Sequence, residues 1–314
     1  MAEQASAIRP SATQEAVRRA LSGHRLDLGQ VWFQALLLLS LVIVMVVLVS
    51  LLADVFGRGA AVLIERPLDF LAAPTSSNPA LAGVGQGIVG SLLIVVFVVV
   101  LAFPIGIAAA IYLEEYARDT ALTRFLNATV RNLAGVPAIV YGLLGLGIFV
   151  LALGDLTGGR SVIAGGLTMA ALVMPIVVIT TAEALRAVPL SIREAGYGVG
   201  ATKWEVIRHH VLPYAAPGVL TGSILTLSRA IGETAPLVLA GGVLGGFALR
   251  PGQGVVETLH GPYTALPLIV FNWARQPSDS FRELSAAAII VLLAIILLLN
   301  AAAIILRNRF ERRW

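Results

Sequence analysis

The feature that most constrains the fold is a set of six long apolar stretches. They occupy residues 31–53, 84–113, 133–153, 161–182, 215–239 and 284–306. A bilayer hydrocarbon core is about 30 Å thick, and about 20 helical residues cross it. Because lipid offers no hydrogen-bond partners, a spanning segment must satisfy its own backbone groups, as a helix does. The sequence therefore predicts an all-α integral membrane protein with six transmembrane helices.

Composition agrees with this fold class. Hydrophobic residues make up 58% of the 314 residues and charged residues 13%, where soluble domains average roughly 45–50% and 25%. The first apolar stretch begins too late and runs too long for a signal peptide, so we expect it to be retained as a span. The sequence contains no cysteine and only four histidines. We therefore expect no disulfide, no metal site and no cofactor bound by this chain itself.

The positions of Lys and Arg predict the orientation in the membrane. With both termini cytoplasmic, fifteen of the 22 basic residues fall in cytoplasmic segments and six in external loops. Short cytoplasmic loops carry such an excess of Lys and Arg. We therefore expect both termini to be cytoplasmic. The net charge of +4 is explained by this topology, and no nucleic-acid partner is expected.

The domain organisation follows from the polar segments around the spans. A six-span domain covers residues 31–306, with its core at 84–306. Residues 1–30 are predicted to form a cytoplasmic N-terminal arm, and residues 307–314 a basic cytoplasmic tail. The Gly- and Pro-rich stretch at 246–283 predicts a long external loop.

A short amphipathic pattern lies between the second and third apolar stretches. The residues that recur at helical spacing are Leu122, Phe125, Leu126, Thr129 and Leu133. This pattern predicts a helix that lies at the cytoplasmic membrane interface.

A polar, glycine-punctuated segment separates the fourth and fifth apolar stretches. Residues 191–213 read SIREAGYGVGATKWEVIRHHVLP. Ser-x-x-Glu at 191–194 and Thr-x-x-Glu at 202–205 have the spacing of capping boxes at helix starts. Gly200, between them, tolerates the positive φ of a tight turn. The segment predicts two short helices whose apolar faces contact another protein; the alternative is a hairpin that rests on lipid headgroups.

Two charged residues stand inside the fifth apolar stretch. Arg229 and Glu233 are four residues apart, and Thr226 lies on the same helical face. A charge at the membrane centre costs at least about 2.5–3.5 kcal/mol on insertion scales, so it normally faces a bundle interior or a water-filled path. Two interpretations remain open. The pair is either a structural ion pair or part of an anion path, in which the planar fork of Arg229 binds phosphate-like oxygens.

The 191–213 segment resembles the EAA coupling loop of ABC-importer permeases. That motif reads Glu-Ala-Ala, three residues, Gly, nine residues, Ile, one residue, Leu-Pro. The residues that correspond are Glu194, Ala195, Gly200, Leu212 and Pro213, with Gly196 in place of the second Ala and His210 in place of the Ile. The resemblance implies that a coupling loop at 183–213 docks on a separate ATPase. The sequence has no GxxxxGK[ST] loop to hold nucleotide phosphates, so ATP would be bound by that partner.

Two further stretches resemble one family more narrowly. SRAIGETAPL at 228–237 and LAGVPAIVYGLLG at 133–145 are similar to the PstA-type permease subunits of phosphate-specific ABC importers. The resemblance implies a type I ABC importer permease fold in the bacterial inner membrane, and a transport subunit that is not an enzyme. It implies inorganic phosphate as cargo, with Arg229, Glu233 and Thr226 in the substrate pathway. The implied partners are a PstC-like companion permease, an ATPase dimer, an external phosphate-binding protein and membrane lipid.

Three alternatives remain open at this point. The first alternative is an ABC permease whose cargo is another oxyanion such as sulfate or molybdate. A secondary transporter driven by an ion gradient would need no coupling loop. A membrane scaffold without transport activity also fits six spans, but it gives no reason to place Arg229 and Glu233 inside one.

Overall fold

The computed structural model describes residues 28–245 and 254–310, and all regular structure in these two ranges is helical. In chain order the helices are α1 (Leu28–Glu65), α2 (Pro67–Ala72), α3 (Gly85–Tyr116), α4 (Ala121–Ala134), α5 (Ala138–Ala152), α6 (Gly154–Thr157), α7 (Val162–Arg186), α8 (Leu190–Gly198), α9 (Lys203–Gly232), α10 (Ala235–Leu239), α11 (Val255–His260), α12 (Leu266–Ala274) and α13 (Asp279–Phe310). Most of the predicted N-terminal arm, the last four residues of the predicted tail and part of the predicted external loop lie outside the described residues.

Five of these helices are long and apolar enough to cross a membrane, namely α1, α3, α7, α9 and α13. A sixth span is reached when α4 and α5, which meet at a bend of 99°, are counted as one broken span. The predicted third span at 133–153 is therefore not one straight helix. Pro137 stands at the N-cap of α5, and a proline disfavours helical conformation in the residue before it. α5 alone is about 22 Å long at 1.5 Å per residue.

The chain divides into two compact units within α1, between Asp54 and Val55. The described part of the first unit is a single helical segment. Its large apolar side chains are exposed from Val31 to Leu51, as expected of a helix whose solvent is lipid. The second unit contains the buried core.

Helix α7 is the centre of the second unit. It has the largest buried share of the spans in the described ranges, and α3, α5 and α9 all pack against it. Val98 of α3 and Val173 of α7 are fully buried in the same apolar cluster. Gly222 of α9 lies so close to α7 that an added Cβ would be 2.5 Å from the Cβ of Thr180. The helix that carries the predicted charged pair is therefore packed tightly against the centre of the unit.

A second apolar cluster corrects the prediction of a long external loop at 246–283. Helix α12 lies within this stretch, and its Leu266, Ile269 and Trp273 are buried. The Trp273 ring lies between Phe70 and Phe281, with centroids 6.3 and 6.1 Å away. At nine residues, α12 is too short to register as a span in a hydropathy pattern, although it is as apolar as one.

Proline explains a wider, π-helical turn at the start of α9. The turn Ile207–Val211 ends where the N–H of Leu212 donates to the carbonyl of Ile207. The next residue, Pro213, has no N–H to donate, so the helix continues through one wider turn instead of breaking. The same arrangement precedes Pro104 in α3. As a result, α9 runs without interruption from the polar segment into the fifth span.

Candidate functional site

The polar segment between α7 and the fifth span folds as a helical hairpin, named here hairpin 190–213. Helix α8 forms its first arm and the start of α9 its second. Gly200 joins the arms with a φ of +83°. The Gly200 N–H donates to Tyr197 O at 2.9 Å, and the Ala201 N–H donates to Gly196 O at 3.2 Å. These two bonds form a Schellman motif, so the predicted turn at Gly200 is confirmed.

One of the two predicted capping boxes is present. The Glu205 N–H donates to Thr202 Oγ1 at 3.4 Å, and the Thr202 N–H donates to Glu205 Oε2 at 2.7 Å. The box predicted at Ser191 is wrong, because α8 begins at Leu190 with Pro189 as its N-cap and has no side-chain cap. Ser191 therefore lies inside the first turn, where a side chain cannot serve as the N-cap.

The inner face of hairpin 190–213 is apolar and packs against the end of α7. Val206 and Val211 are buried together with Leu185. Gly196 is buried as well, and an added Cβ there would lie 2.8 Å from Val206 Cγ2. Gly196 stands at the second Ala position of the motif, and its lack of a side chain lets the two arms of the hairpin pack closely.

The outer face of the hairpin leaves large apolar side chains exposed. Val199 is 83% exposed and Trp204 52% exposed. Glu194 and Leu190 are exposed on the same arm. An exposed apolar surface of this kind is typical of a protein contact.

An open groove of about 470 Å³ lies beside the hairpin. Its lining residues are Ile192, Ala195, Gly196, Val199, His209, His210, Pro213 and Tyr214. The fold therefore brings three of the predicted coupling residues, Ala195, Gly196 and Pro213, to one concave surface. Leu212 instead packs toward the apolar cluster beneath the hairpin, and Gly200 shapes the turn.

The predicted charged pair lies at the far end of α9. Arg229 Nε donates to Glu233 Oε1 at 3.2 Å. The prediction that both residues lie in the middle of a helix is wrong, because α9 ends at Gly232 and Glu233 has an extended backbone. Glycine is a weak helix former, and Pro236 lacks the N–H that would bond the Gly232 carbonyl. These two residues account for the break.

The pair is more accessible in the single chain than a buried ion pair. The side chain of Arg229 is 51% exposed and that of Glu233 23%. Thr226, by contrast, is 1% exposed, and its hydroxyl donates to Gly222 O at 2.8 Å within the same helix. The structure brings Arg229 and Glu233 together and turns Thr226 toward the packed interior.

A group of contacts that sequence reasoning missed lies at the end of α3. Arg193 of hairpin 190–213 donates to Glu115 Oε1 at 2.7 Å, to Val188 O at 2.8 Å and to Leu185 O at 3.0 Å. The paired side chains are almost enclosed, with Arg193 16% and Glu115 7% exposed. The two residues are 78 positions apart, so helix periodicity alone gives no signal for this contact.

The two residues beside Glu115 make parallel contacts. Arg186, at the end of α7, forms a two-point ion pair with Glu114, with Nε donating to Oε2 at 2.8 Å. The ammonium of Lys203, at the start of α9, lies 5.0 Å from the ring centroid of Tyr116. The only sequence signal was the pair of adjacent acidic residues at the end of an apolar stretch. Among residues 28–245 and 254–310, no cluster of His, Asp and Glu has the composition of a metal site.

Comparison with known proteins gives the family. The model of the "Binding-protein-dependent transport system inner membrane component" family matches residues 102–314. The phosphate transport system permease protein PstA of Yersinia pestis is 37% identical over 213 residues, which cover 67% of each chain. The PstA 1 protein of Mycobacterium tuberculosis is 35% identical over 195 residues, which cover 62% of this chain and 60% of that protein. The chain thus spans about 60–67% of the length of these relatives.

A solved structure gives the fold. A chain of the MetNI methionine ABC transporter in an inward-facing conformation superposes with a TM-score of 0.58 at 19% identity, covering 76% of this chain and 100% of that one. Together with the five or six candidate spans, this likeness identifies a multi-pass membrane protein with the type I ABC importer permease fold. The chain belongs to the family of binding-protein-dependent transport system inner membrane components.

Proposed function

We propose that this chain is the PstA-type permease subunit of an ATP-driven phosphate importer. The observation that carries the proposal is hairpin 190–213, where a member of a transporter family presents an exposed apolar surface built on the coupling motif. The cargo is suggested by the relatives, which are named as phosphate transport permeases at 35–37% identity.

Hairpin 190–213 is the proposed docking element for an ATPase dimer that binds and hydrolyses the ATP. Glu194 and Val199 are exposed for direct contact, whereas Gly196 and Gly200 hold the shape of the hairpin. The second arm and the fifth span belong to one unbroken helix, α9. A force that the ATPase applies to the hairpin therefore displaces the fifth span. With this side cytoplasmic, both termini are cytoplasmic too, and an external phosphate-binding protein delivers cargo to the opposite side.

Arg229 and Glu233 are the proposed anion-binding residues of the path. Their partly exposed position on the single chain suits a surface that a PstC-like companion permease covers, so that each subunit forms half of the path. The Arg229 fork can hold two phosphate oxygens, and the Glu233 carboxylate can accept a hydrogen bond from a protonated phosphate oxygen. Thr226 is buried and its hydroxyl donates to Gly222 O within α9, so its proposed role is to support this part of the helix and not to contact the anion.

The assembly is tested by copurification. Tagged chain, expressed with a PstC-like permease and the matching ATPase, should retain both partners in detergent. A variant with Trp204→Ala and Val199→Ser in the exposed face of the hairpin should lose the ATPase and keep the companion permease. Loss of neither partner, or of both, would contradict the docking assignment.

The cargo is tested by competition. Uptake of radiolabelled phosphate into vesicles that contain the complex and the binding protein should be inhibited by unlabelled phosphate or arsenate. Sulfate and molybdate at the same concentration should have little effect. Neither anion is protonated at neutral pH, so neither can donate a hydrogen bond to the Glu233 carboxylate. Equal inhibition by sulfate or molybdate would instead identify a general oxyanion permease.

A further inference from the structure

Three consecutive residues at the end of α3 hold three different parts of the coupling region. Glu114 pairs with the end of α7, Glu115 with Arg193 in α8, and Tyr116 with the start of α9. The three residues lie in a π-helical turn, Tyr112–Tyr116. This wider turn ends α3, and α3 thereby contacts both arms of hairpin 190–213.

The contact between Glu115 and Arg193 is the most enclosed of the three. The two side chains are 7% and 16% exposed, whereas the Arg186 side chain is 46% and Tyr116 41% exposed. Exposed ion pairs contribute little because solvent screens them and the side chains lose entropy. Enclosed, hydrogen-bonded charges hold one geometry, because any separation leaves a charge without a partner.

Arg193 also holds the end of α7. Its guanidinium donates to the carbonyl oxygens of Leu185 and Val188 as well as to Glu115. The last carbonyls of a helix have no partner within the helix, and a cation is favourable there. One side chain of the hairpin therefore joins α8, α7 and α3.

Helix α3 extends from this contact to the opposite end of the second unit. It contains 32 residues, a length of about 48 Å at 1.5 Å per residue. Near its other end, Ser91 Oγ accepts the backbone N–H of Leu266 at 2.9 Å, at the start of buried α12. Helix α3 thus connects hairpin 190–213 with the region around α12.

We propose that Arg193 and Glu115 are positioning residues that couple hairpin 190–213 to α3. The proposal rests on the proposed function. Without this pair, docking forces on the hairpin reach the spans chiefly through the continuous backbone of α9; with it, α3 and α7 move together with the hairpin. The pair makes no contact with ATP or phosphate, and its role is to convert ATPase closure into movement of the outer end of the permease.

The first test measures phosphate uptake per ATP hydrolysed by the complete complex in proteoliposomes. Arg193→Gln and Glu115→Gln should each keep the ATPase bound and ATP hydrolysis running, while uptake per ATP falls about tenfold, within the range usual for coupling between distant sites. Glu115→Asp, which keeps the charge, should recover part of the ratio. The matched control is Arg124→Gln, whose ion pair with Asp119 is 65% and 82% exposed, and it should leave the ratio unchanged. An unchanged ratio in assembled Arg193→Gln would overturn the proposal.

The second test does not depend on the cargo. The chain has no cysteine, so Tyr112→Cys, at a position of α3 that is 60% exposed, provides a single maleimide site when the partners are cysteine-free. ATP with vanadate should change its labelling rate in the parent, and this change should be lost in Arg193→Gln. An ATP-dependent change that persists in Arg193→Gln refutes the linkage. If the parent complex responds to ATP but does not import phosphate, the proposed function fails while the linkage is still decided by labelling.

Discussion

At the residue scale, the chemistry of the proposed path depends on Arg229 and its partner Glu233. The pair is 3.2 Å apart at the broken end of α9, with Arg229 half exposed. In the proposed complex the companion permease covers this pair, and removal of one partner of a buried pair costs about 3–5 kcal/mol. Removal of both charges leaves neither unpaired, so the double substitution is the one whose effect on transport indicates a role in the path.

Substitution of both residues separates a path role from a structural one. Arg229→Gln with Glu233→Gln should assemble with its partners but fail to accumulate phosphate, because the positive potential for a dehydrating anion is gone. Arg229→Lys, which keeps the charge and loses the two-point fork, should retain partial uptake. The measurement is uptake normalised to assembled complex. Normal uptake by the double variant would refute the path role and show that Arg229 and Glu233 form a structural ion pair.

Gly200 is the residue on which the hairpin turn depends. Its φ of +83° costs a residue with a Cβ about 1–2 kcal/mol, and a β-branched side chain more. Gly200→Val should therefore insert in the membrane but lose ATP-coupled uptake. Gly198→Ala is the matched control, because Gly198 has an ordinary φ and open space around its Cβ position. Coupled uptake at the parental rate in Gly200→Val would rule out the turn as a coupling element.

At the element scale, the contact between α8 and α9 sets the shape of the docking surface. An Ala at position 196, the usual residue of the motif, would place its Cβ 2.8 Å from Val206 Cγ2. Gly196→Ala should therefore cost about 1–3 kcal/mol through overpacking. Adding Val206→Ala should recover most of that loss.

A double-mutant cycle on thermal unfolding of the complex measures this compensation. Copurified ATPase provides a second readout of the hairpin's shape. Additive losses from Gly196→Ala and Val206→Ala would show that the two arms do not touch as the structure indicates.

Sequence patterns predicted those structural features that depend on residues close together in the sequence. The Schellman turn at Gly200 and the capping box at Thr202 follow from residues within a few positions. The Ser191 box failed because the helix begins two residues earlier than expected, with Pro189 as its N-cap. The contact of Arg193 with Glu115 spans 78 positions, and only the packing of α3 against α7 brings it about.

At the scale of the whole molecule, hydropathy located the spans but not their interruptions. A hydropathy window of about twenty residues does not detect the break between α4 and α5, which lies next to a proline. It also does not detect the buried α12, because that helix is much shorter than the window. The orientation is a separate prediction, which rests on the distribution of Lys and Arg.

Single cysteines test the orientation because the chain has none of its own. Leu156→Cys and Val199→Cys replace side chains that are 74% and 83% exposed, on segments predicted to face opposite sides. A membrane-impermeant maleimide added to intact cells should label only Leu156→Cys, and both should react after permeabilisation. Labelling of Val199→Cys in intact cells would invert the proposed topology.

The most direct test of the central claim is phosphate uptake by purified complex in proteoliposomes under two driving forces. This chain, its companion permease, the ATPase and the binding protein should accumulate phosphate when ATP is present on the ATPase side. A proton or sodium gradient without ATP should give no accumulation, and Gly200→Val should abolish the ATP-driven signal. Accumulation driven by an ion gradient and indifferent to ATP would contradict the account, because hairpin 190–213 would then have no coupling role.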